Sequence, residues 1–575
     1  MIESNSRLLV CGLIALIAPL CGWTPPLVAW QDGSAPRLTA ESLFVDDRVI
    51  PIEIEMPAED WDTIRRQTRS FVESLGRVKP ESPFEYVPGN IRIDGQLIEN
   101  VGIRKKGFLG SLDENRPSLK IRFDKYTDQA PIEGLDRLTL NNNKQDPSRL
   151  MQFLTFRQFN RAESPAPRCG FARVSVNGED LGIYSNVESV RDDFLKHQFG
   201  DDSGDLFEGT VVDFYPEWVR NFEQKNKRAR YDRLEELTDI LQEEELDTSR
   251  LESVLDVDAF IRFWATESLT GFWDGYCNNQ NNFFVYVRPS DRKIVFFPWG
   301  ADSALTSRMP LPPYRIRPRS VHCQSILANR LYRIPEYRQK YQETLMGMLD
   351  ELWNEQDIVD EIERLDAMLV ENGASDSRSR KRAVGNMKRF VQSRRDHIME
   401  EFADGPPELP TRERTVFWFA EIGTATVEFE TRWYDSTPRQ TAGLGTAKLQ
   451  LEMGGQPVEL DDVGVYAETS KWPSPGGNPP PSIVVVGRRT SDDTPLVLGT
   501  GLSEGPFQPS PEPIGLGGIY IEDGAFVNES GQMRMINGTV RLDEASMNDG
   551  DTVSGTMKLT IVEMQGGKPV DEDRP

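Results

Sequence analysis

The stretch 266–305 most restricts how this chain can fold, because two short apolar strands there lie between two polar loops. The strands are FFVYV (283–287) and KIVFFP (293–298), and a Pro-Ser-Asp-Arg turn (289–292) separates them. Asp274 and several asparagines precede the first strand, and Asp302 follows the second. Since a hairpin brings the outer ends of its strands together, the sequence predicts that these polar groups meet there.

Carboxylate and amide groups placed in this way can orient a hydroxyl nucleophile and hold a hard divalent cation through oxygen ligands. Protein kinases use one Asp, one Asn and a second Asp for that purpose. The separation of Asp274 and Asn282 is longer than in the usual kinase loop, and neither HRD nor DFG occurs. Asn-rich loops also form where only turns and helix caps are needed, so a structural loop is the alternative interpretation.

Length and charge narrow the classes of function. A chain of 575 residues exceeds what one core usually holds, which predicts two or three domains. Its 66 basic and 92 acidic residues give a formal net charge of -26. Because that charge repels phosphate backbones and anionic lipids, we expect no nucleic-acid partner.

The first 29 residues are typical of an export signal. Arg7 precedes the apolar run 8–23, and Ala29 offers a small residue before a cleavage point at Trp30. The run is shorter than the roughly 20 residues of a membrane-spanning helix. We therefore expect cleavage, no integral membrane segment in the mature chain, and a periplasmic, cell-surface or extracellular location. A retained anchor is the alternative.

Three cysteines lie beyond that segment, Cys169, Cys277 and Cys323. Their wide spacing indicates neither a disulfide framework nor a zinc site. At most one bridge can form among them.

The N-terminal part shows strand patterns that place two charged residues. In SLKIRF (118–123) the basic and apolar residues alternate, so Lys120 faces away from the apolar side chains. Asn177-Gly178 predicts a tight hairpin turn, and Glu188 lies at the end of the strand that follows. Without further information, Lys120 can be a solvent-exposed residue on a strand face. Glu188 can be an acid placed favourably at the start of the next helix.

The second half changes character at Asp404-Gly405-Pro406-Pro407. Before it, from residue 325 to 402, the apolar spacing predicts helices that buttress the hairpin. After it, short alternating runs separated by Gly, Pro and Asn predict an all-β region with a sandwich. The predicted divisions are a signal peptide (1–29), a first folded domain (41–404), a linker (405–412) and a β-rich accessory region (413–575).

Several blocks occur in an order that resembles one known family. They include IRKKG, RPSLKIRF, LTLNNNKQDPSRL, VSVNGEDLGIYSNVESV, GDLFEG, WDGYCNNQNNFFVY and PWGAD. Their succession over about residues 41–400 resembles the CotH family, the spore-coat-protein-H-like kinases. The resemblance implies an α+β, two-lobed, atypical kinase domain, with a β-rich N-terminal lobe and a helical C-terminal lobe. It also implies transfer of the ATP γ-phosphoryl group to Ser or Thr of a secreted or surface protein, with Mg²⁺ or Mn²⁺.

The resemblance implies nucleotide-binding roles in the N-terminal part. Lys120 in RPSLKIRF looks like the lysine that contacts the nucleotide phosphates, and Arg116 is the competing match. Glu188 in NVES looks like the acidic partner of that lysine. Asn142 and Asp146 also match family blocks, but DPSRL is compatible with a helix cap alone.

The same resemblance implies catalytic and metal-binding roles around the hairpin. Asp274 in WDGY looks like the catalytic aspartate that orients and deprotonates the substrate hydroxyl. Asn282 and Asp302 look like the amide and carboxylate metal ligands. The chain departs from the family at Gly300, where many members carry Asp. If that Asp is the principal metal ligand, the alternative function is a non-catalytic extracellular structural or adhesion protein with a pseudokinase scaffold.

Overall fold

The computed structural model describes residues 38–108, 111–307, 320–408, 413–437, 444–470, 480–502, 507–529 and 531–567. The predicted signal peptide (1–29) lies outside these ranges, as does the 409–412 part of the predicted linker. The domain boundaries proposed from the sequence stay predictions.

Seven strands in the first part of the chain form a closed barrel. Neighbouring strands are antiparallel, except that β1 and β6 are parallel and close the ring, in the order β1-β2-β3-β4-β5-β7-β6. The tight turn predicted at Asn177-Gly178 joins the last two strands, and both of its residues have positive φ. The strands are β1 (Val49–Glu55), β2 (Val87–Ile93), β3 (Gln96–Lys106), β4 (Ser118–Arg122), β5 (Arg137–Asn141), β6 (Cys169–Val176) and β7 (Glu179–Glu188).

Alternation along the barrel strands separates an apolar interior from a basic outer face. Leu119 and Ile121 of β4 are fully buried in the barrel core. Lys120, between them, pairs with Arg104 of β3 and Thr139 of β5. Because residues directly opposite each other in a sheet share a face, these three side chains point outward from the barrel.

Five helices occur in the part of the chain that contains the barrel strands or directly after it. The longest, α4, packs against β6, where the rings of Phe153 and Phe171 lie 5.0 Å apart. The helices are α1 (Ala40–Leu43), α2 (Ala58–Arg66), α3 (Phe71–Ser74), α4 (Met151–Arg161) and α5 (Asp192–Phe199).

A four-stranded sheet follows, in the order β11-β10-β8-β9. Its central pair confirms the predicted hairpin, with Phe283 opposite Pro298 and Val287 opposite Ile294. All residues of both hairpin strands are buried. The strands are β8 (Asp205–Gly209), β9 (Glu223–Gln224), β10 (Phe283–Val287) and β11 (Ile294–Pro298).

The remaining described helices surround this sheet. Helix α8 is the most buried and packs against α11 and β11, with Phe260, Phe263 and Trp264 in the shared core. Within the described ranges, no helix combines the length and apolar character needed to cross a bilayer. The helices are α6 (Asp232–Gln242), α7 (Thr248–Val254), α8 (Val257–Leu269), α9 (Tyr276–Asn279), α10 (Ile326–Arg333), α11 (Pro335–Glu351), α12 (Glu355–Glu371) and α13 (Arg378–Glu401), with a 3₁₀ turn at Val219–Asn221.

The last described region forms one nine-stranded sheet, in the order β14-β13-β12-β15-β16-β17-β18-β19-β20, with a further pairing of β12 and β20. It has its own apolar core, whereas Val416, Phe419 and Val562 pack into the core of the preceding helices. The strands are β12 (Trp418–Tyr434), β13 (Thr446–Met453), β14 (Gln456–Val458), β15 (Leu460–Thr469), β16 (Pro481–Arg489), β17 (Pro495–Leu502), β18 (Ile514–Glu522), β19 (Arg534–Glu544) and β20 (Thr552–Gln565).

The predicted kinase-like fold, an α+β domain of two lobes with a helical C-terminal lobe, is wrong for this chain. The closed barrel and the nine-stranded sheet make the described part of the chain β-rich, and 28% of the described residues are helical. The helices that follow the barrel also share their core with a sheet. Local periodicity cannot reveal barrel closure, because the closing pairs, such as Val49 with Phe171, lie far apart in sequence.

Candidate active site

The asparagine-rich loop before β10 is built around the carboxylate of Asp274. Asn279 and Asn281 donate hydrogen bonds to its Oδ1 at 2.6 and 3.1 Å. Asn282 donates to Oδ2 at 2.8 Å and to the backbone carbonyl oxygen of Asp274 at 3.2 Å. Three amide donors therefore fix the orientation of one half-buried carboxylate.

Glu267 of helix α8 stabilises this loop. Its fully buried carboxylate accepts hydrogen bonds from the backbone N–H groups of Tyr276 and Cys277, both at 2.8 Å. Burial raises the pKa of Glu267 to about 8, although these hydrogen bonds oppose the shift. Glu267 thus holds the start of the short helix α9, which follows Asp274 and ends at Asn279, the first of its asparagine partners.

The segment that leads into the C-terminal sheet supports the loop from another side. Arg414 donates to the side-chain oxygens of Asn279 and Gln280, both at 3.1 Å. Gln280 in turn donates to the backbone carbonyl oxygen of Arg414 and to Asp213, both at 2.8 Å. The loop that orients Asp274 is therefore hydrogen-bonded to a residue outside its own sheet and helices.

The environment of Asp274 raises the pKa of its carboxyl group. Burial is the main cause, while the amide hydrogen bonds from Asn281, Asn279 and Asn282 oppose it. A weaker opposing contribution comes from the charge of Arg414. The pKa thus shifts upward, although the amide donors favour the ionised form.

Asp302 follows β11 and reaches the same place from the other strand of the hairpin. It is 7% exposed, and Asn141 of β5 donates to its Oδ2 at 3.4 Å. Burial raises its pKa to about 6, and Asp146 and Asp274 raise it further, whereas Asn141 and Lys106 oppose the shift. Asp302 therefore lies within electrostatic range of Asp274 on one side and of the barrel on the other.

Gly300 explains how Asn282 is accommodated. Gly300 has φ +52°, and a Cβ atom built on it would lie 2.7 Å from Oδ1 of Asn282. The neighbouring Trp299 N–H donates to the backbone carbonyl oxygen of Asn282 at 2.9 Å. An aspartate at position 300 would need both a strained backbone and a displaced Asn282.

The outer face of the barrel supplies the basic side of the site. Burial lowers the pKa of Lys120 well below its ordinary value, and the charges of Arg191, Lys225 and Arg104 lower it further. Glu208 of β8 is the acid that opposes this shift. Glu208 also forms an ion pair with Lys225. Lys120 therefore faces a cluster of cations in which Glu208 is the balancing carboxylate.

Lys106 of β3 interacts with residues of both the barrel face and the hairpin. It follows Arg104 by two residues in β3 and so shares the outer face with Lys120. Its ammonium lies 5.5 Å from the ring centroid of Trp299, directly before Gly300. Burial lowers the pKa of Lys106, whereas Asp302 and Glu208 oppose the shift. Hydrogen bonds and charge interactions thus link six polar residues where the barrel approaches the hairpin, and we call this region the barrel–hairpin cleft. Its residues are Asp274, Asn282, Asp302, Lys106, Lys120 and Glu208.

Glu188 does not lie in the barrel–hairpin cleft. It pairs across the sheet with Leu138, whereas the row of Lys120 contains Thr139 and Val187. Adjacent rows point to opposite faces, so Glu188 and Lys120 lie on opposite sides of the sheet. Arg168 instead binds both carboxylate oxygens of Glu188, at 2.6 Å through its guanidinium and 3.0 Å through its backbone N–H. The predicted Lys120–Glu188 pair is absent.

Arg116 also lies away from Lys120. Its guanidinium donates to the backbone carbonyl oxygens of Leu181 and Ile183, at 2.6 and 2.9 Å, and lies over the ring of Tyr184. It lines a different cavity, together with Asn142 and other residues.

Lys106 and Glu208 were not predicted as site residues, although both lie in sequence blocks that resemble the CotH family. Lys106 belongs to IRKKG and Glu208 to GDLFEG. Alternation in β3 would have placed Lys106 beside Lys120, but the approach of β8 to the barrel is a tertiary contact. Asn141 was not predicted either. It begins a run of three asparagines, and nothing in the neighbouring sequence indicates that its side chain contacts Asp302.

The donor set of the barrel–hairpin cleft fits a hard divalent cation. Asp302 receives only the long Asn141 hydrogen bond among the described residues, and Asn282 directs its Oδ1 into the space above Gly300. Carboxylate and amide oxygens suit Mg²⁺. No group of three or more His, Cys, Asp or Glu side chains arranged for a metal occurs in the described ranges. A cation here would need oxygens from water or a ligand to complete its coordination.

A comparison of the sequence with models of known families identifies the class of protein to which this chain belongs. The model of the family described as "CotH kinase protein" matches residues 91–403, more than half of the chain, and the chain belongs to this family.

Three curated relatives come from Rhizopus delemar. Invasin CotH3 is 24% identical over 178 residues, which is 28% of this chain and 30% of the relative. Invasin CotH2 is 22% identical over 244 residues (37% and 41%), and Spore coat protein homolog 1 is 22% identical over 315 residues (47% and 51%). The matches span between about a third and a half of these relatives.

Proposed function

We propose that this protein is an exported protein kinase that transfers the γ-phosphoryl group of ATP to a Ser or Thr hydroxyl of a secreted or surface protein. The observation that carries the proposal is the barrel–hairpin cleft, where the half-buried Asp274, the buried Asp302 and the amide of Asn282 share one polar region with two lysines. Family membership supports the reaction class. Phosphoryl transfer is catalysed mainly by positioning the reactants and by neutralising phosphate charge. The acid and amide side chains of the cleft suit the first task, and its lysines suit the second.

Asp274 is the proposed catalytic residue. Its carboxylate, fixed by three amide donors, would accept a hydrogen bond from the substrate hydroxyl and then its proton. Its pKa is raised by burial, which makes it a stronger base than a solvated aspartate.

Asp302 and Asn282 are the proposed holders of Mg²⁺ or Mn²⁺. When bound, the cation would neutralise charge on the nucleotide phosphates. The raised pKa of Asp302 shows how poorly its charge is compensated by the protein alone, and a cation would remove that penalty.

Lys120 and Lys106 are the proposed phosphate-binding residues. Both lie on the outer barrel face, and burial lowers the pKa of each. A phosphate group would compensate their desolvated charges. In this proposal Glu208 takes the role that the sequence had assigned to Glu188, because it acts on both lysines.

An exported location rests on two observations. The first 29 residues have the pattern of a signal peptide. The names of the curated relatives, invasin and spore coat protein homolog, describe surface or coat proteins. We therefore propose that the acceptor protein is secreted or surface-bound.

The test is transfer of label from γ-labelled ATP to a Ser-rich acceptor, with Mg²⁺ or Mn²⁺ and the mature chain. Asp274→Ala should abolish incorporation, and Asp302→Ala should abolish it or raise the metal concentration required. Asp180→Ala, which removes a surface carboxylate paired with Arg173, is the control and should leave transfer intact. Persistent transfer in both cleft variants would refute these roles.

Gly300 favours the second candidate function, a non-catalytic extracellular structural or adhesion protein. It stands where many family members carry a further carboxylate, and Asn282 closes the space that such a side chain would need. Nucleotide binding without any transfer to acceptor protein or water, under all metal conditions, would establish this alternative.

A further inference from the structure

A second polar cavity, of about 240 Å³, lies between the loop after β5 and the start of α13. It is walled by cationic side chains and by three serines of the segment 375–379. We call it the arginine cavity. The residues on which the inference depends are Arg116, Asn143, Lys144, Asp146, Arg149 and Arg380.

Positive charge in the arginine cavity exceeds negative charge. Its cationic lining residues are Arg116, Lys144, Arg149 and Arg380, against the two acids Asp113 and Asp146. Lys144 forms an ion pair with Asp113 at 3.5 Å, and Arg380 forms ion pairs with Asp366 and Asp376.

The guanidinium groups of Arg116 and Arg149 carry the excess. Arg116 binds two backbone carbonyl oxygens, which satisfy its N–H groups without cancelling its charge. Arg149 is half-buried, and its side chain makes no ion pair or hydrogen bond within the described part of the chain. Burial lowers the pKa of Arg149 to about 10, and Arg116 lowers it further, against the opposing charge of Asp146. The two guanidinium groups therefore repel each other, and neither forms an ion pair with an acid of the cavity wall among the described residues.

An unsatisfied donor lies in the same wall. Asn143 is 4% exposed, and its side-chain nitrogen has no hydrogen-bond partner among the described residues. Its side-chain oxygen accepts a hydrogen bond from Ser185 at 2.9 Å, which fixes the amide. A buried amide nitrogen without an acceptor is costly, and an acceptor oxygen nearby would remove the cost.

We infer that the arginine cavity binds a phosphate group, as the free dianion or as a phosphate monoester, at a site separate from the barrel–hairpin cleft. Planar guanidinium groups match the oxygens of phosphate, and the positive end of the dipole of the 24-residue helix α13 adjoins the cavity at Ser377 and Ser379. The volume lies below the roughly 300 Å³ of sites for drug-sized ligands, which suits a phosphate group on a short side chain.

The arginine cavity and the cleft share one electrostatic neighbour. Asp146 lines the cavity and also raises the pKa of Asp302 in the cleft. The inference does not require kinase activity, because it depends only on the residues of the cavity.

The experiment is calorimetric titration of the full chain with inorganic phosphate at low ionic strength. One site is expected, and Arg149→Gln should weaken binding roughly tenfold or more, because a charge-assisted contact is lost. Arg149→Lys keeps the charge and should bind with intermediate affinity. Arg488→Gln, which removes an exposed arginine paired with Asp493, is the matched control and should bind as the parent does.

Lys120→Met separates the two sites. Phosphate binding that survives in Lys120→Met and is lost in Arg149→Gln supports the inference. Binding that is lost in Lys120→Met and unchanged in Arg149→Gln would place the ligand in the barrel–hairpin cleft and overturn it. If Arg149→Gln does not fold, as judged by circular dichroism, parent-like affinity in Arg149→Lys and Lys144→Gln together would overturn the inference.

Phosphoserine distinguishes the sources of the phosphate. Tighter binding of O-phosphoserine in a short peptide than of inorganic phosphate would assign the arginine cavity to a phosphorylated polypeptide. Equal binding of the two would assign it to the free anion. Both results support a phosphate site, whereas the absence of binding by either ligand contradicts it.

Discussion

A buried carboxylate with one long hydrogen bond costs the folded state free energy, and Asp302 is such a group. Its pKa is raised to about 6 from an ordinary value of 3.8. The folded chain therefore binds more protons than the unfolded chain between these two pH values. Stability consequently falls as the pH rises through this window, by at most about 1.4 kcal/mol per pH unit from this group.

Asp302→Asn should remove that pH dependence. Without nucleotide and metal, we expect the variant to be more stable than the parent at pH 7, by about 1–3 kcal/mol, and similar to it below pH 4. Urea denaturation at several pH values measures the difference. Asp180→Asn should change stability in the opposite direction, because Arg173 lowers the pKa of Asp180. A parent and an Asp302→Asn variant with identical pH profiles would contradict the assigned environment.

Activity should respond in the opposite sense to stability. In the proposed kinase, Asp302→Asn loses a carboxylate ligand and should lose transfer while the chain becomes more stable. A gain in stability with a loss in function is the signature of a residue that is retained for its chemistry.

At the scale of elements, the face of a strand decides which side chains meet. Lys106 and Lys120 share the outer face of the barrel, and Glu208 reaches them from β8. Glu188 is at the end of β7 and faces the other way, toward Arg168. Glu188 and Glu208 both belong to sequence blocks typical of the family, but they lie on different faces and have different partners.

Paired variants of these two glutamates test this difference. Glu208→Gln should raise the KM for ATP several-fold, because Lys120 and Lys225 lose the carboxylate that balances their charges. Glu188→Gln should leave the KM unchanged and lower stability by about 1–3 kcal/mol, because Arg168 loses its buried charged partner and keeps, among the described residues, only the exposed Glu41. Steady-state kinetics and thermal unfolding measure the two effects. An unchanged KM in Glu208→Gln together with a raised KM in Glu188→Gln would restore the original pairing.

The hairpin and its polar ends could be predicted from the sequence because all the residues involved lie within 40 positions of one another. The spacing of Asp274, Asn282 and Asp302 is local information, and β10 and β11 confirm the hairpin. The pairing of Lys120 could not be predicted, because its neighbours come from β3, β5 and β8. Sequence alternation gives the face of a strand but not the element that approaches it.

At the scale of the whole molecule, the C-terminal sheet and the barrel–hairpin cleft are connected. Arg414 precedes β12 and binds the loop that carries Asp274. Phe419 of β12 donates its backbone N–H to Leu75 at 3.0 Å, and Asn537 of β19 donates to Ser70 at 2.9 Å. The accessory region therefore contacts both the loop and the segment that joins β1 to β2.

Arg414→Met should lower the kcat of the proposed kinase about tenfold or more and leave the KM for ATP nearly unchanged, because Asn279 loses a partner that orients it toward Asp274. Arg414→Lys should restore part of the rate. Arg432→Met, at an exposed position near the end of β12, is the control. Equal rates in the parent and Arg414→Met would show that the loop does not depend on the accessory region.

The three cysteines beyond the first 29 residues, Cys169, Cys277 and Cys323, are buried as free thiols. Within the described ranges, the fold is thus held together without a disulfide bond. Burial raises the pKa of all three thiols, which keeps them in the unreactive form.

The parallel pairing of β1 with β6 has a consequence for biogenesis. Residues 49–54 find their partners only at residues 171–176. During synthesis from the N-terminus, one edge of β1 stays open until the ribosome has made the whole intervening segment. If the chain is exported as proposed and passes through a channel from its N-terminus, the same delay applies, and the barrel is then completed only after passage.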